Sequence, residues 1–152
     1  MSTSIVYKLE FVGSIEDYPG ERVVRVRLAE GSMAPWTLGL CMLKESVVDT
    51  FSIHSEDRAF KLHVERAVDE ADENAGTIGV ARGSTTVRAS LSPTELDRWV
   101  HFFLSYLRDG YGSVDHMDVD VDGPDPMALV LHVPAAAAPV SRDEAFRRLG
   151  LQ

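Results

Sequence analysis

The chain has 152 residues, 45% of them hydrophobic, with a formal net charge of −9 and a single cysteine. That size and apolar content allow one core without disulfide or metal staples, and Cys41, inside the apolar run Leu38 to Leu43, is expected to be a buried structural thiol. The acidic balance, with no Lys/Arg cluster carrying interleaved aromatics, disfavours nucleic-acid partners. No apolar run approaches the ~20 residues that span a bilayer, and the N-terminal residues lack a secretory pattern, so a cytoplasmic protein without membrane partners is expected.

Ile5, Tyr7, Leu9 and Phe11 recur at every second position, the period of a strand with one buried face. Asp, Pro and Gly within Glu16 to Gly20 predict a turn. Arg22 to Leu28 then resumes the alternation through Val24, Val26 and Leu28, so the two segments are predicted to pair antiparallel. Glu30 to Pro35 reads as a loop, and the apolar run Trp36 to Leu43 as a strand buried on both faces. A further strand is expected over Val47 to Ile53. After a polar turn at Ser55 to Arg58, Phe60, Leu62 and Val64 favour a strand over the competing helical spacing Phe60, Val64, Ala67, Val68 and Ala71. Asp69 to Gly76 is acidic and reads as a solvated loop, with Thr77 to Ala81 and Thr85 to Leu91 pairing across Arg82 to Ser84.

Ser92-Pro93-Thr94-Glu95 is a helix start: Ser92 as N-cap, Pro93 at N1 and Glu95 at N3 to close a capping box. Gly110 supplies the stop. Between them Leu96, Trp99, Val100, Phe103 and Leu107 share one face, and adding Phe102, Leu104 and Tyr106 widens the apolar arc to about 200°, against the ~100° stripe of a one-sided surface helix. That helix is therefore expected to meet more than one layer.

Val114 to Val121 and Met127 to Val133 read as a hairpin across the turn Asp122 to Pro126, with Val121 opposite Met127, Val119 opposite Leu129, Met117 opposite Leu131 and His116 opposite His132. The residues 134–140 look like a stiff Pro/Ala spacer. Ser141 and Glu144 open a short helix carrying Phe146 and Leu149, which is too short to stand alone and is expected to dock over the flank of the long helix. The expected organisation is one domain over 1–133, the spacer, and a terminal helix or tail over 141–152. Its class is α+β, with a mainly antiparallel sheet and the long helix packed on one face.

No segment carries a cofactor motif. Asp118-x-Asp120-x-Asp122-Gly123 resembles the opening of a calcium loop, but Leu129 stands where a bidentate Glu is needed and Pro124 and Pro126 interrupt it. Two imidazoles across a hairpin, His116 and His132, with Asp118 or Asp115 nearby, have the chemistry of a partial zinc site. Ser52, His54 and Asp57 are close in sequence without being a triad, and no nucleophile elbow occurs. His63 and His101 fall on outward positions, and glycine-rich phosphate loops are absent.

The function these residues favour is a non-enzymatic protein-interaction module of immunity, inhibitor or accessory-subunit type, needing no cofactor. It would bind a basic protein, or itself, through an acidic face and an aromatic flank made by Trp99, Phe102, Tyr106, Phe146 and Leu149. The alternative is a small-ligand or divalent-metal-binding protein, with or without catalysis, whose pocket lies between sheet and helix and whose ligands include His116, His132 and Asp118.

Overall fold

A computed structural model describes residues 3–56, 59–67, 76–80, 85–109, 115–121, 127–134 and 142–150. Within them the chain runs β1 (Ser4–Leu9), β2 (Phe11–Tyr18), β3 (Glu21–Leu28), α1 (Met33–Lys44), β4 (Thr50–Ser55), β5 (Lys61–Arg66), β6 (Gly76–Val80), β7 (Thr86–Leu91), α2 (Pro93–Asp109), β8 (His116–Val121), β9 (Met127–His132) and α3 (Arg142–Arg148). The strands form a five-stranded sheet ordered β1-β4-β5-β7-β6 and a four-stranded sheet ordered β2-β3-β9-β8.

The class is α+β, but the sheets are mixed where a mainly antiparallel sheet was expected. The antiparallel pairs β2/β3, β4/β5, β6/β7 and β8/β9 are joined through parallel neighbours, β1 with β4, β5 with β7 and β3 with β9. Parallel neighbours need a long crossover. Here α1 follows β3 and α2 follows β7, so each helix separates hairpins that then dock beside earlier strands.

The alternation from Ile5 to Phe11 is one pattern serving two strands. Leu9 and Phe11 are both buried, but the chain changes sheets between them: β1 pairs with β4, and it is β2 that forms the hairpin with β3. The expected pairing of 5–11 with 22–28 is corrected by turn geometry. The chain reverses in the tight turn Pro19-Gly20, with Gly20 at φ +83°, which places Tyr18 opposite Glu21 and keeps Glu16 and Asp17 in the strand.

Trp36 to Leu43, expected as a doubly buried strand, is the body of helix α1. Pro35 occupies its first turn, where the missing N–H would have had no intrahelical partner. Met33, Trp36, Thr37, Leu40 and Leu43 are its buried residues, at helical spacing. Leu38, Cys41 and Met42 fill the remaining face with apolar side chains and erase the polar stripe that marks a surface helix. Thr37 Oγ1 donates to Met33 O at 2.7 Å, one turn back. Ser46, at φ 62°, ends the helix in the left-handed region while Val47 N–H returns to Met42 O at 2.9 Å. Val47 is thus a helix-exit residue, and β4 starts later than expected, at Thr50.

Other expectations hold. β5 is a strand, β6 pairs with β7, α2 spans Pro93–Asp109, and the β8/β9 register matches each expected residue pair. The expected features at 57–58, 69–75, 82–84, 110, 122–126, 135–140 and Ser141 lie outside the described residues. At the start of α2, Ser92 Oγ accepts the Glu95 N–H at 3.1 Å. The reciprocal half of the capping box is replaced: the Glu95 carboxylate turns to Arg98 and to Trp99 Nε1, the latter at 2.9 Å. There the carboxylate meets a cationic guanidinium and the donor of a buried indole at once.

The core is one cluster built from the inner faces of both sheets and the helices. Helix α2 lies chiefly against α1, with smaller contacts to β7 and α3. Trp36 is at the junction, its ring centroid 5.4 Å from Phe51, 5.6 Å from Phe103 and 6.2 Å from Trp99.

Gly39 is on the α1 face that meets β4, and a Cβ built there would overlap the Phe51 ring. Gly39→Ala gains ~1 kcal/mol of helix propensity, but overpacking a filled core costs about 1–3 kcal/mol. The net effect is expected to be destabilising, read as a lower urea midpoint at constant slope. Gly31→Ala, where nothing stands within 4 Å of the new Cβ, is the control and should leave the midpoint unchanged.

Candidate functional site on the outer sheet faces

Of the residues expected to form an aromatic flank, Trp99 (0% exposed) and Tyr106 (4%) are enclosed by the chain itself. Tyr106 donates its hydroxyl to Pro134 O at 3.0 Å, and Phe102 packs edge-on to Phe103 with centroids 5.0 Å apart. Leu149 lies partly buried against the core. Phe146 remains 39% exposed, with the Arg142 guanidinium 5.3 Å above its ring. The wide arc of α2 is therefore met by α1, by the chain leaving β9 and by α3. Asp118 O receives Arg98 Nη2 at 2.6 Å, so α2 is also tied to β8.

Side chains with partly open polar groups gather instead on the outward sheet faces. In β2-β3-β9-β8 the register sets Arg27 beside His132 and His132 beside His116. In the next row it sets Ser14 beside Arg25, Arg25 beside Val130 and Val130 beside Asp118. Beneath them Val23, Ala128 and Val130 form a small apolar cluster separate from the core.

A continuous hydrogen-bonded chain crosses this face. Tyr18 donates to Glu16 Oε2 at 2.6 Å, Arg25 Nε donates to the same oxygen at 3.1 Å, and Arg25 Nη1 lies 3.4 Å from His132 Nε2. Arginine only donates, so that imidazole nitrogen carries the lone pair. The His132 and His116 rings lie 5.6 Å apart, and His116 Nδ1 donates to Asp115 at 2.8 Å. The Tyr18 hydroxyl, then Arg25, holds the Glu16 carboxyl below its ordinary range. Burial first, then Arg27 and Arg25, pushes the His132 pKa below its usual 6.5.

His116 and His132 do meet across the strands as the spacing suggested, and Asp118 Oδ1 is 3.7 Å from His116 Nε2. The free nitrogen lone pair of His132, however, faces Arg25, and a divalent cation there would have to displace a guanidinium. Among the described residues no group of three His, Cys, Asp or Glu side chains is arranged to hold a metal ion. Asp118 and Asp120 belong to a paired strand, not to a loop of calcium-binding shape.

On the five-stranded sheet, Ser52 Oγ and His63 Nδ1 are 2.7 Å apart. This cross-strand pair was not legible as a pair: Ser52 was weighed with His54 and Asp57, whereas the β4/β5 register puts His63 directly opposite it. His63 Nε2 is 3.7 Å from Glu65. Ser52 is only 4% exposed, so its hydroxyl is out of reach of a substrate carbonyl and the pair acts as a structural link between strands. Burial, followed by Arg88, lowers the His63 pKa. A groove of about 470 Å³ lies along α2, lined by Asp97, Arg98, His101 and Leu104 among others, with Lys44 from the end of α1 paired to Asp97 at 2.9 Å.

Both lowered histidines give stability a sign with pH. A histidine whose folded pKa lies below its unfolded value binds more protons when unfolded, so stability is constant above about 6.5 and falls as pH drops through that value. The urea midpoint is expected to decline from pH 7 to 5, and His63→Gln with His132→Gln should flatten the decline. An unchanged slope in the double variant would overturn the assignment.

No protein-family model matches the sequence, and no curated protein matches it.

Proposed function

We propose that the chain is a non-enzymatic protein-interaction module, of the inhibitor or accessory-subunit kind, that binds a basic protein partner through the outer face of β2-β3-β9-β8. The observation that carries this reading is the held aromatic: Tyr18 is 51% exposed, while its hydroxyl is fixed by Glu16, itself fixed by Arg25. Tyrosine and arginine are the residues that anchor interfaces most often, and side chains already ordered lose less entropy when a partner arrives. Val12, 66% exposed on the neighbouring stretch of β2, adds apolar area beside them. The net charge of −9 speeds encounter with a positively charged protein at low salt.

Affinity capture from the source organism, followed by binding measurements on the recovered protein, tests this. A basic partner is expected whose affinity falls by ~2 kcal/mol, about 30-fold, with Tyr18→Ala or Arg25→Ala. The variants should keep the wild-type circular dichroism spectrum. Equal binding by wild type and both variants would sink the assignment of this face.

A further inference from the structure

The outer face of the five-stranded sheet has the opposite sign to the chain as a whole. Register places Lys8 beside His54 and His54 beside Lys61 in one row, and Val6, Ser52, His63 and Arg88 side by side in the next. The third row brings Thr50 against Glu65 and Glu65 against Ser90. These side chains point away from the core because their neighbours Phe51, Ile53, Leu62, Val64, Val87 and Ala89 fill it. Among the described residues of these three rows, three permanent cations, Lys8, Lys61 and Arg88, thus share a face with one carboxylate, Glu65, in a chain of formal net charge −9. Lys8 and Lys61 stand two strands apart, roughly 10 Å at ~4.8 Å per strand, with Arg88 one strand further.

We propose that this face docks a carboxylate-rich segment of a protein partner, one of whose carboxylates is received by the exposed Arg88 guanidinium, with Lys61 and Lys8 on the neighbouring strands. Arg88, 64% exposed, is open to a partner, whereas His63 lies lower in the face beside Ser52. His63 Nε2 is a buried atom without a hydrogen-bond partner. With Glu65 its nearest charge, the favoured tautomer carries the proton there and leaves Nδ1 to accept from Ser52. The Glu65 carboxylate lies 3.7 Å from that nitrogen and 3.9 Å from Arg88 Nη2, in both cases beyond hydrogen-bonding reach. Glu65 pairs only loosely with Arg88, and its charge opposes the entry of a partner carboxylate.

An acidic peptide fits better than a nucleic acid. Among the described residues of this face there is no Phe, Tyr or Trp ring on which a base could stack, and the His63 ring is largely covered. A phosphate chain extending past the patch meets the acidic remainder of the surface, whereas a short segment stays within a Debye length, ~8–10 Å, of the three cations. This surface belongs to the other sheet and does not depend on the Tyr18 network.

The test is a titration of the ¹⁵N-labelled full chain with a hexaglutamate peptide at low ionic strength. Shifts are expected at the outward positions of β1, β4, β5 and β7, with loss of binding in Arg88→Gln and in Lys61→Glu. Glu65→Gln should tighten binding roughly fivefold, the order of one like charge removed at ~4 Å in water. Asp143→Asn, the same charge change on the exposed start of α3, should alter binding less than about twofold by the same distance dependence. The proposal is overturned if no shifts occur, if they spread over the whole surface, or if Arg88→Gln binds as wild type. It is equally overturned if an oligothymidylate of equal charge binds this face more tightly than the peptide.

Discussion

Trp36 sits where two helices and a strand meet, with Phe51, Phe103 and Trp99 around its ring and none of its surface exposed. Large aromatic side chains bury 150–250 Å² each, worth roughly 4–6 kcal/mol of transfer free energy at ~25 cal/mol per Å². Its indole N–H has no hydrogen-bond partner, an omission that costs ~1–3 kcal/mol. Burial wins by a clear margin. The core therefore tolerates an orphan donor there, and α1 is held with apolar side chains on all sides.

That constraint propagates outward. With α1 enclosed, α2 must lie against it, and Gly39 gives Phe51 the room to close the layer below. The polar ends of α2 then reach the second sheet. Arg98, braced by Glu95, donates to Asp118 O, and Tyr106 donates to Pro134 O, so the hairpin β8/β9 is tied to the same helix that packs on the aromatic junction. Both outward faces inherit their geometry from this anchoring, because a slip of one residue would turn every side chain of a strand to the opposite side.

The two faces use similar parts differently. Each pairs an imidazole with an arginine and a glutamate across neighbouring strands, and each imidazole is kept neutral by burial and cations. On the four-stranded sheet Glu16 is satisfied by Tyr18 and Arg25, which leaves an ordered, outward tyrosine. On the five-stranded sheet Glu65 stands 3.7 Å from His63 and 3.9 Å from Arg88, too far for a hydrogen bond to either. The glutamate is hydrogen-bonded to both neighbours on one face and only loosely paired with them on the other.

Local chemistry determined α2 and the β8/β9 hairpin from sequence alone: Ser92 and Pro93 start the helix, and the period-two pattern, with Asp122 to Pro126 taken as the loop, sets the register that matches apolar to apolar. The meeting of His116 with His132 followed from that register. Helix α1 was hidden because the apolar Leu38, Cys41 and Met42 on its half-buried side remove the polar stripe by which a helix is recognised, although Met33, Trp36, Thr37, Leu40 and Leu43 keep its spacing. Partner strands were hidden for a different reason. Alternation from Ile5 to Phe11 tells which side chains turn inward but not that Glu10 lies between two sheets. Parallel pairing, the link from Ser52 to His63 and the convergence of Lys8, Lys61 and Arg88 all depend on contacts between segments far apart in the chain. Periodicity records what a segment buries, and only the folded chain decides what it is buried against.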